Sequence, residues 1–340
     1  MSASLAAPEA VIRGVGAHRP LRVVDNPEIA ERIGVPAGWI ESHTGITQRR
    51  HTAGGETLET MAVAAGTNAL IAADVPAADV DCLILASQTH LTQTPPLAPL
   101  VAHRLGAHAA GVFDLKAACA GFCLGLAAAR DQIRAGTSRH VLVIAAEHIS
   151  PITDPTDRDT AMIFADGAGA VLVTAAEESG VGPVVWGSQG ALIDALVSRP
   201  GWLDMIADPG LGHSVLVMNG KDLTRWVLRH SPAIVEAALS ASGLTLTDLA
   251  AFVPHQANMR IIDMLVERLA IPDTVAVARD IAVTGNTSAA SIPLALAALL
   301  HQGGTKPGDL ALLMAYGAGV TYAAQVIAVP AAVRTTGGQP

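Results

Sequence analysis

A cysteine in Ala117-Ala118-Cys119-Ala120-Gly121-Phe122, a histidine in Val253-Pro254-His255-Gln256-Ala257-Asn258 and an asparagine in Gly285-Asn286-Thr287-Ser288-Ala289-Ala290-Ser291 are the residues of this chain best suited to chemistry. A thiol, an imidazole and a carboxamide offered from separate strand or helix ends can hold an acyl group covalently and then make a bond to it. Cys119 directly precedes an Ala- and Leu-rich stretch of helical composition. A thiol at that place is expected to feel the positive end of the helix dipole and to lean toward thiolate. Cys123, one helical turn on, reads as a small buried apolar residue. His255 follows an apolar strand, where α/β sheets present functional groups. Asn286 between Gly285 and Thr287 reads by itself as turn or cap chemistry.

The elements that must position these groups alternate along the chain. Apolar, β-branched strands are expected at 10–16, 81–87, 140–146, 168–174, 214–218, 250–254, 310–315 and 321–328, with helices at about 57–73, 96–105, 119–135, 222–242, 257–269 and 287–301. This is an α/β pattern, and it repeats. An Ala-rich helix, Val75-Pro76-Ala77-Ala78-Asp79 and the strand Cys82–Ala86 are echoed by a later helix, Leu244-Thr245-Leu246-Thr247-Asp248 and the strand ending at Val253. Each copy closes with an apolar strand and a glycine-rich turn, Asp166-Gly167-Ala168-Gly169 in one and Tyr316-Gly317-Ala318-Gly319 in the other. Two halves, 10–175 and 214–335, joined by a connection or cap at 176–213 with its own short helix near 189–206, are therefore expected. Packed face to face, they would bring Cys119 and Asn286 to equivalent helix starts. Gly14-Val15-Gly16 and the two Gly-Ala-Gly stretches are only fragments of a nucleotide fingerprint and are expected to form tight turns near the site.

With 340 residues, 51% of them apolar, the chain can bury a large core. A net charge of −9 argues against nucleic acid or an anionic membrane as a partner. The three cysteines show no disulfide framework and no zinc-like spacing, and neither a signal peptide nor an unbroken membrane span is read, so a cytoplasmic protein without a metal is expected.

Taken in order, the three motifs resemble the β-ketoacyl-acyl carrier protein synthase III family of the thiolase-like superfamily. Gly38-Trp39-Ile40, Thr44-Gly45-Ile46, Asp154-Pro155-Thr156-Asp157-Arg158 and Phe164-Ala165-Asp166-Gly167-Ala168-Gly169 extend the resemblance over nearly the whole chain, and Thr94-Pro95-Pro96 is similar to members that prime polyketide pathways. The resemblance implies a thiolase-like fold of two duplicated αβ halves in five layers, αβαβα. It implies that Cys119 takes an acyl group from acyl-CoA and that malonyl-acyl carrier protein then loses carbon dioxide. His255 and Asn286 would steady the resulting enolate, which attacks the acyl-cysteine, while the backbone amides of Cys119 and Ala318 would hold the tetrahedral oxyanion. It further implies CoA contacts at Trp39 and Arg158, with His43 where a second Arg is common. Carrier-protein docking falls at Arg225, Arg260 and Arg268, with Glu267 at an often basic place. Leu91, Thr92, Thr94 and Pro95 would approach the acyl pocket of the partner in a homodimer, and no cofactor is implied. Two other readings keep the fold: acyl transfer from Cys119 to a hydroxyl or amine without decarboxylation, and a non-catalytic binding protein. A papain-like hydrolase fits poorly because its local signatures are absent.

Overall fold

A computed structural model describes residues 8–337. Two sheets form its frame. The first runs in the order Val333–Gly337, Glu9–Arg19, Gly167–Ala176, His140–Glu147, Cys82–Ala86, Gly111–Leu115. The second runs Val185–Ser188, Thr321–Ala328, Leu310–Gly317, Ala251–Pro254, Ala276–Val277. Apart from Val333–Gly337, the two orders correspond strand for strand. In each, a parallel trio is followed by two antiparallel strands, so the duplication expected from the sequence is present in topology.

Both sheets are covered on both faces, which is why their strands read as continuous apolar runs. Period-two alternation sorts the side chains. Leu83, Leu85, Leu142 and Ile144 pack outward against Met61 and Ala65 of the helix Leu58–Ala73 and Val101 of the helix Ala98–Leu105. Ile84 and Val143 point inward, to Phe122 and Leu126 of the helix Gly121–Arg134 and Ile292 and Leu296 of the helix Ser291–His301. Val253 and Leu313 of the second sheet meet those two helices from the other side, while Phe252, Leu312 and Met314 face Trp226, Ile234 and Leu265 on the helices Gly220–Ala241 and Met259–Leu269. The result is helix, sheet, helix, sheet, helix. Each such Leu, Ile or Phe contributes about 1.5–3 kcal/mol by leaving water, so this sandwich is the main source of stability.

A buried ion pair ties the halves together. Arg19 Nη2 donates to Asp280 Oδ2 at 2.9 Å and to the carbonyl of Leu294 at 3.0 Å, and its Nε donates to Thr284 Oγ1 at 3.1 Å. Arg19 is 1% exposed.

Several expectations need correction. The segment 176–213 is more than a connection, because Val185–Ser188 is the edge strand of the second sheet and the counterpart of Glu9–Arg19. The helix expected near 189–206 is split into a 3-10 turn at Gly190–Ala195, a strand at Leu196–Arg199 and a short helix at Trp202–Ala207, the strand pairing with Val215–Met218. Val333–Gly337 leaves the C-terminal half and joins the first sheet beside Glu9–Arg19. Gly14 and Gly16 make no turn. They lie inside a strand, where a Cβ on Gly16 would stand 2.1 Å from the carbonyl oxygen of Ala65, so their smallness lets the helix Leu58–Ala73 sit close. Gly167 and Gly169 likewise begin a strand, with Pro293 against Gly169. The two-stranded pair Arg22–Asp25 and Gln48–His51 and the helices Asn26–Ile33 and Ala37–Thr44, near the start of the chain, lack a long apolar period and were not legible as elements.

Candidate active site

Cys119 sits on a 3-10 turn, Ala118–Ala120, immediately before the helix Gly121–Arg134. Ala118 is held at φ +47°, a left-handed conformation that costs an L-residue roughly 1–2 kcal/mol. The second half repeats the device: Ser288 has φ +50°, Ser288–Ala290 form the 3-10 turn, and Ser291–His301 is the helix. The structural counterpart of Cys119 is therefore Ala289. Asn286 lies before the turn, not at the equivalent helix start expected from the sequence. Gly121 starts its helix close against the strand Cys82–Ala86, since a Cβ there would lie 3.1 Å from that of Ala86.

Asn286 is fixed through its backbone. Its N–H donates to the carbonyl of Ile163 at 2.8 Å and its carbonyl accepts from Ala165 N at 3.0 Å, which pins the loop to the other half of the molecule. Its Oδ1 accepts from Ser288 N at 2.9 Å, leaving Nδ2 as the group to offer, 3.5 Å from the carbonyl of Ala257. His255 follows the strand Ala251–Pro254 and is 2% exposed. Its Nδ1 lies 2.7 Å from Ser291 Oγ, which also accepts from Gln256 N at 3.4 Å. Nδ1 is thus engaged by Ser291, which leaves Nε2 as the ring nitrogen to offer. Burial lowers the His255 pKa to about 3, so the ring is neutral at physiological pH.

The three groups share one cavity of about 860 Å³. Its walls include Phe164, Leu196, Leu223, Val227 and Ile261, and its exposed rim includes Lys221, Arg225 and Arg260. Gly317 closes the cavity beside the cysteine: a Cβ on it would fall 2.6 Å from Cys119 N. Ala318 is the next residue, so the loop that would supply the second oxyanion amide is in contact with the first. Tyr316 stacks edge-on against His255 with ring centroids 5.2 Å apart, and its buried hydroxyl has no hydrogen-bond partner among the described residues.

The expected thiolate is not what the resting site favours. Burial raises the Cys119 pKa to about 12, against the lowering influence of a hydrogen bond to Ser288 and of the residue's own backbone N–H, and the nearby Glu147 raises it further. The end of one helix does not offset loss of water around a sulfur anion. Cys123 is fully buried in the central core, in keeping with a packing role.

The remaining expected residues are dispersed. Trp39 carries His43 stacked on its ring at 4.0 Å, and Arg158 donates to the carbonyls of Ile33 at 3.0 Å and Gly34 at 3.3 Å, beside the turn leading to Trp39. Arg225 pairs with Asp222 at 2.8 Å, and Arg260 donates to the carbonyl of Ser42. Arg268 lies apart from this rim, along a different groove with Glu236 and Leu246. Leu91, Thr92, Thr94 and Pro95 are exposed and do not line the cavity of their own protomer. Sequence reasoning missed Ser288, Ser291, Tyr316 and Glu147 as site residues. The first two stood inside a quoted motif, and the signal for Glu147 was a lone acid closing the otherwise apolar strand His140–Glu147.

Comparison with known proteins places this geometry in context. Residues 239–329 match the family model for the 3-oxoacyl-[acyl-carrier-protein] synthase III C terminal, and residues 113–190 match that for 3-oxoacyl-[acyl-carrier-protein] synthase III. The chain is 45% identical over 319 residues, 94% of each protein, to a beta-ketoacyl-[acyl-carrier-protein] synthase III of Streptomyces lividans. It is 46% identical, over 93% of this chain and 94% of the other, to one from Mycobacteroides abscessus. Among solved structures, the priming beta-ketosynthase of the R1128 polyketide pathway superposes with TM-score 0.93 at 44% identity, covering 97% of this chain and 99% of that one. The 3-oxoacyl-(acyl carrier protein) synthase III of Pseudomonas aeruginosa gives 0.88 at 35% identity, over 96% and 100%.

Proposed function

The chain belongs to the β-ketoacyl-acyl carrier protein synthase III family and is a condensing acyltransferase that primes fatty acid or polyketide synthesis; from that premise we propose how its residues divide the reaction. Cys119 attacks the thioester of acyl-CoA and keeps the acyl group, releasing CoA. The amides of Cys119 and Ala318 bind the tetrahedral oxyanion. Malonyl-acyl carrier protein then enters, and loss of carbon dioxide leaves an enolate held by Nε2–H of His255 and Nδ2–H of Asn286. The enolate carbon attacks the acyl-cysteine, and collapse releases a β-ketoacyl thioester. A neutral histidine suits this role, because it donates a hydrogen bond without any need to lose or gain a proton. No metal or redox group is needed, since a thioester enolate accepts the electrons left by carbon dioxide.

The observation that carries this reading is the opening of a buried thiol, an imidazole and a carboxamide into one cavity with an exposed rim. Arg225 and Arg260 on that rim are the proposed contacts for the acidic carrier protein, with Arg268 further along the same helix as Arg260, and Trp39 and Arg158 the proposed adenine contacts. His43, stacked on Trp39, takes part of the surface an arginine would otherwise cover. We propose a homodimer through the edge strand Gly111–Leu115, where Leu91, Leu100 and Phe113 are 65%, 40% and 39% exposed in the single chain. Three free cysteines fit a cytoplasmic location, and no helix among the described residues is long and apolar enough to cross a membrane.

The test is mass balance. Enzyme acylated by acyl-CoA and then given malonyl-acyl carrier protein should release carbon dioxide and form a β-keto product two carbons longer. Formation of an ester or amide on a small acceptor, with no carbon dioxide, would establish acyl transfer instead, and failure of acyl-CoA to protect Cys119 from alkylation would establish a binding protein.

A further inference from the structure

A fully buried carboxylate stands two hydrogen bonds from the nucleophile. Cys119 Sγ donates to Ser288 Oγ at 3.5 Å, and Ser288 Oγ donates to Glu147 Oε1 at 3.0 Å. The direction of this chain is fixed by its neighbours. Gln88 Nε2 donates to Ser288 Oγ at 3.1 Å and a carboxylate can only accept, so the serine hydrogen points to Glu147 and an oxygen lone pair remains for the thiol. Glu147 is itself clamped, by Thr89 Oγ1 at 2.7 Å, Ser87 Oγ at 3.3 Å and Gln88 N at 3.2 Å.

We propose that Ser288 and Glu147 form a proton relay that removes the proton of Cys119 when the acyl group is loaded and returns it when the product leaves. The proposal rests on Cys119 being the acyl carrier. During loading the thiol proton passes to Ser288 Oγ as the serine proton passes to Glu147, giving a thiolate and a neutral carboxylic acid. The thiolate forms the new C–S bond to the acyl carbon; the C–S bond to CoA breaks, and the CoA thiolate takes a proton from solvent. In the second half, carbon dioxide leaves the malonyl group, the enolate carbon bonds to the acyl carbon, and the Cys119 C–S bond breaks. The released thiolate recovers its proton from Glu147 through Ser288. The cycle thus consumes one solvent proton, as decarboxylation requires. With its proton aboard, Glu147 is uncharged while the enolate exists, so a carboxyl group so near the site does not oppose formation of an anion.

The electrostatics set when the proton moves: Cys119, with its pKa at about 12, is a weaker acid than Glu147, at about 7, so the thiol gives up its proton only as its sulfur attacks. Burial raises the Glu147 pKa to about 7, partly offset by the hydrogen bonds from Thr89, Ser288, Gln88 and Ala289. On the segments Ser87–Thr89, Ala118–Ala120 and Ser288–Ala290, which face it, Cys119 is the one titratable side chain. His148, next in the chain, turns Nε2 to Thr52 Oγ1 at 2.8 Å, and Asp166, next to the paired strand, is engaged by Thr52 N, Ser150 N and Ser150 Oγ. Glu147 acts through Ser288 and is a positioning residue; Ser288 touches the reacting sulfur.

The test reads ionisation of the thiol directly. The pH dependence of Cys119 alkylation by iodoacetamide, and of its acylation by acyl-CoA, is followed by intact-protein mass spectrometry for the full-length wild type, Glu147→Gln and Ser288→Ala. Both variants should lose roughly 100–10,000-fold in rate at pH 7, the range typical of general-base catalysis, and regain it progressively as hydroxide rises, whereas the wild type levels off above neutrality. Variant profiles parallel to wild type, or undiminished rates, would overturn the relay. If Glu147→Gln is recovered unfolded, Ser288→Ala decides by the same readout. Alkylation that shows the expected shift while no acyl group is ever loaded would reject the acyl-carrier reading and leave the relay standing.

Discussion

Ser291 Oγ lies 2.7 Å from Nδ1 of His255 and accepts the Gln256 amide as well, so the serine holds the imidazole by one nitrogen and leaves the other to the cavity. The serine comes from the first turn of one helix and the histidine from the end of a strand. The ring's placement is therefore set by how the second sheet packs on Ser291–His301.

Ser291→Ala should accordingly separate the two half-reactions. With Nδ1 unpaired, the ring loses the contact that aims Nε2 into the cavity. Decarboxylation and condensation are expected to fall by about 100-fold, the scale of a group misplaced by about 1 Å, while acylation of Cys119 stays near wild type. Single-turnover measurement of each half would show it. An equal fall in both would mean that the serine only supports the fold.

Gly317→Ala should damage the other half. The added Cβ would stand 2.6 Å from Cys119 N and must push either the cysteine turn or the Gly317–Gly319 loop aside, displacing one of the proposed oxyanion amides. Acylation is expected to slow by about 100-fold or more, as when one oxyanion donor is removed. Stopped-flow release of CoA measures it, and a near-normal rate would move the oxyanion site elsewhere.

Asp280→Ala should unfold more readily than the wild type by about 3–5 kcal/mol, because Arg19 would then be a buried cation without its counter-charge. The two residues are 1% and 3% exposed as side chains and come from opposite halves of the chain. Replacing both by apolar residues of similar volume should restore much of the loss. Urea titrations of the single and double variants decide between a true charge penalty and lost packing.

How far the sequence could be read depended on the kind of information each feature carries. The central strands were visible as continuous apolar runs because both their faces are buried, the helices Leu58–Ala73 and Gly121–Arg134 as Ala-rich segments, and Met259–Leu269 because burial on one face leaves a period in the sequence. The thiol, imidazole and carboxamide were visible because their motifs are local. Glu147 was not, since its partners Thr89 and Ser288 meet it only after two distant segments pack, and a single acid at a strand end resembles a surface residue. Cys119 shows the same limit for electrostatics: the helix start was legible, but the desolvation that outweighs it is a property of the closed cavity. Val185–Ser188 and Val333–Gly337 escaped because a short edge strand has too few residues to show alternation.

The titrations of Glu147 and His255 predict an unusual pH dependence of stability. Glu147 has its pKa raised from 4.5 to about 7, so between these values the folded chain holds a proton that the unfolded chain has released, and stability falls as pH rises. His255 has its pKa lowered from 6.5 to about 3, so in that range the unfolded chain holds the extra proton and stability rises with pH. Each effect is worth up to about 1.4 kcal/mol per pH unit. Between pH 4.5 and 6.5 they oppose one another, and the contribution of this pair should be nearly flat. Glu147→Gln removes one side of the balance: relative to wild type, its stability should climb with pH across that window. His255→Asn should do the reverse. Urea midpoints for the three proteins at pH 4.5, 5.5 and 6.5 give the slopes, and parallel lines would mean that these two groups are not buried in the charge states assigned to them.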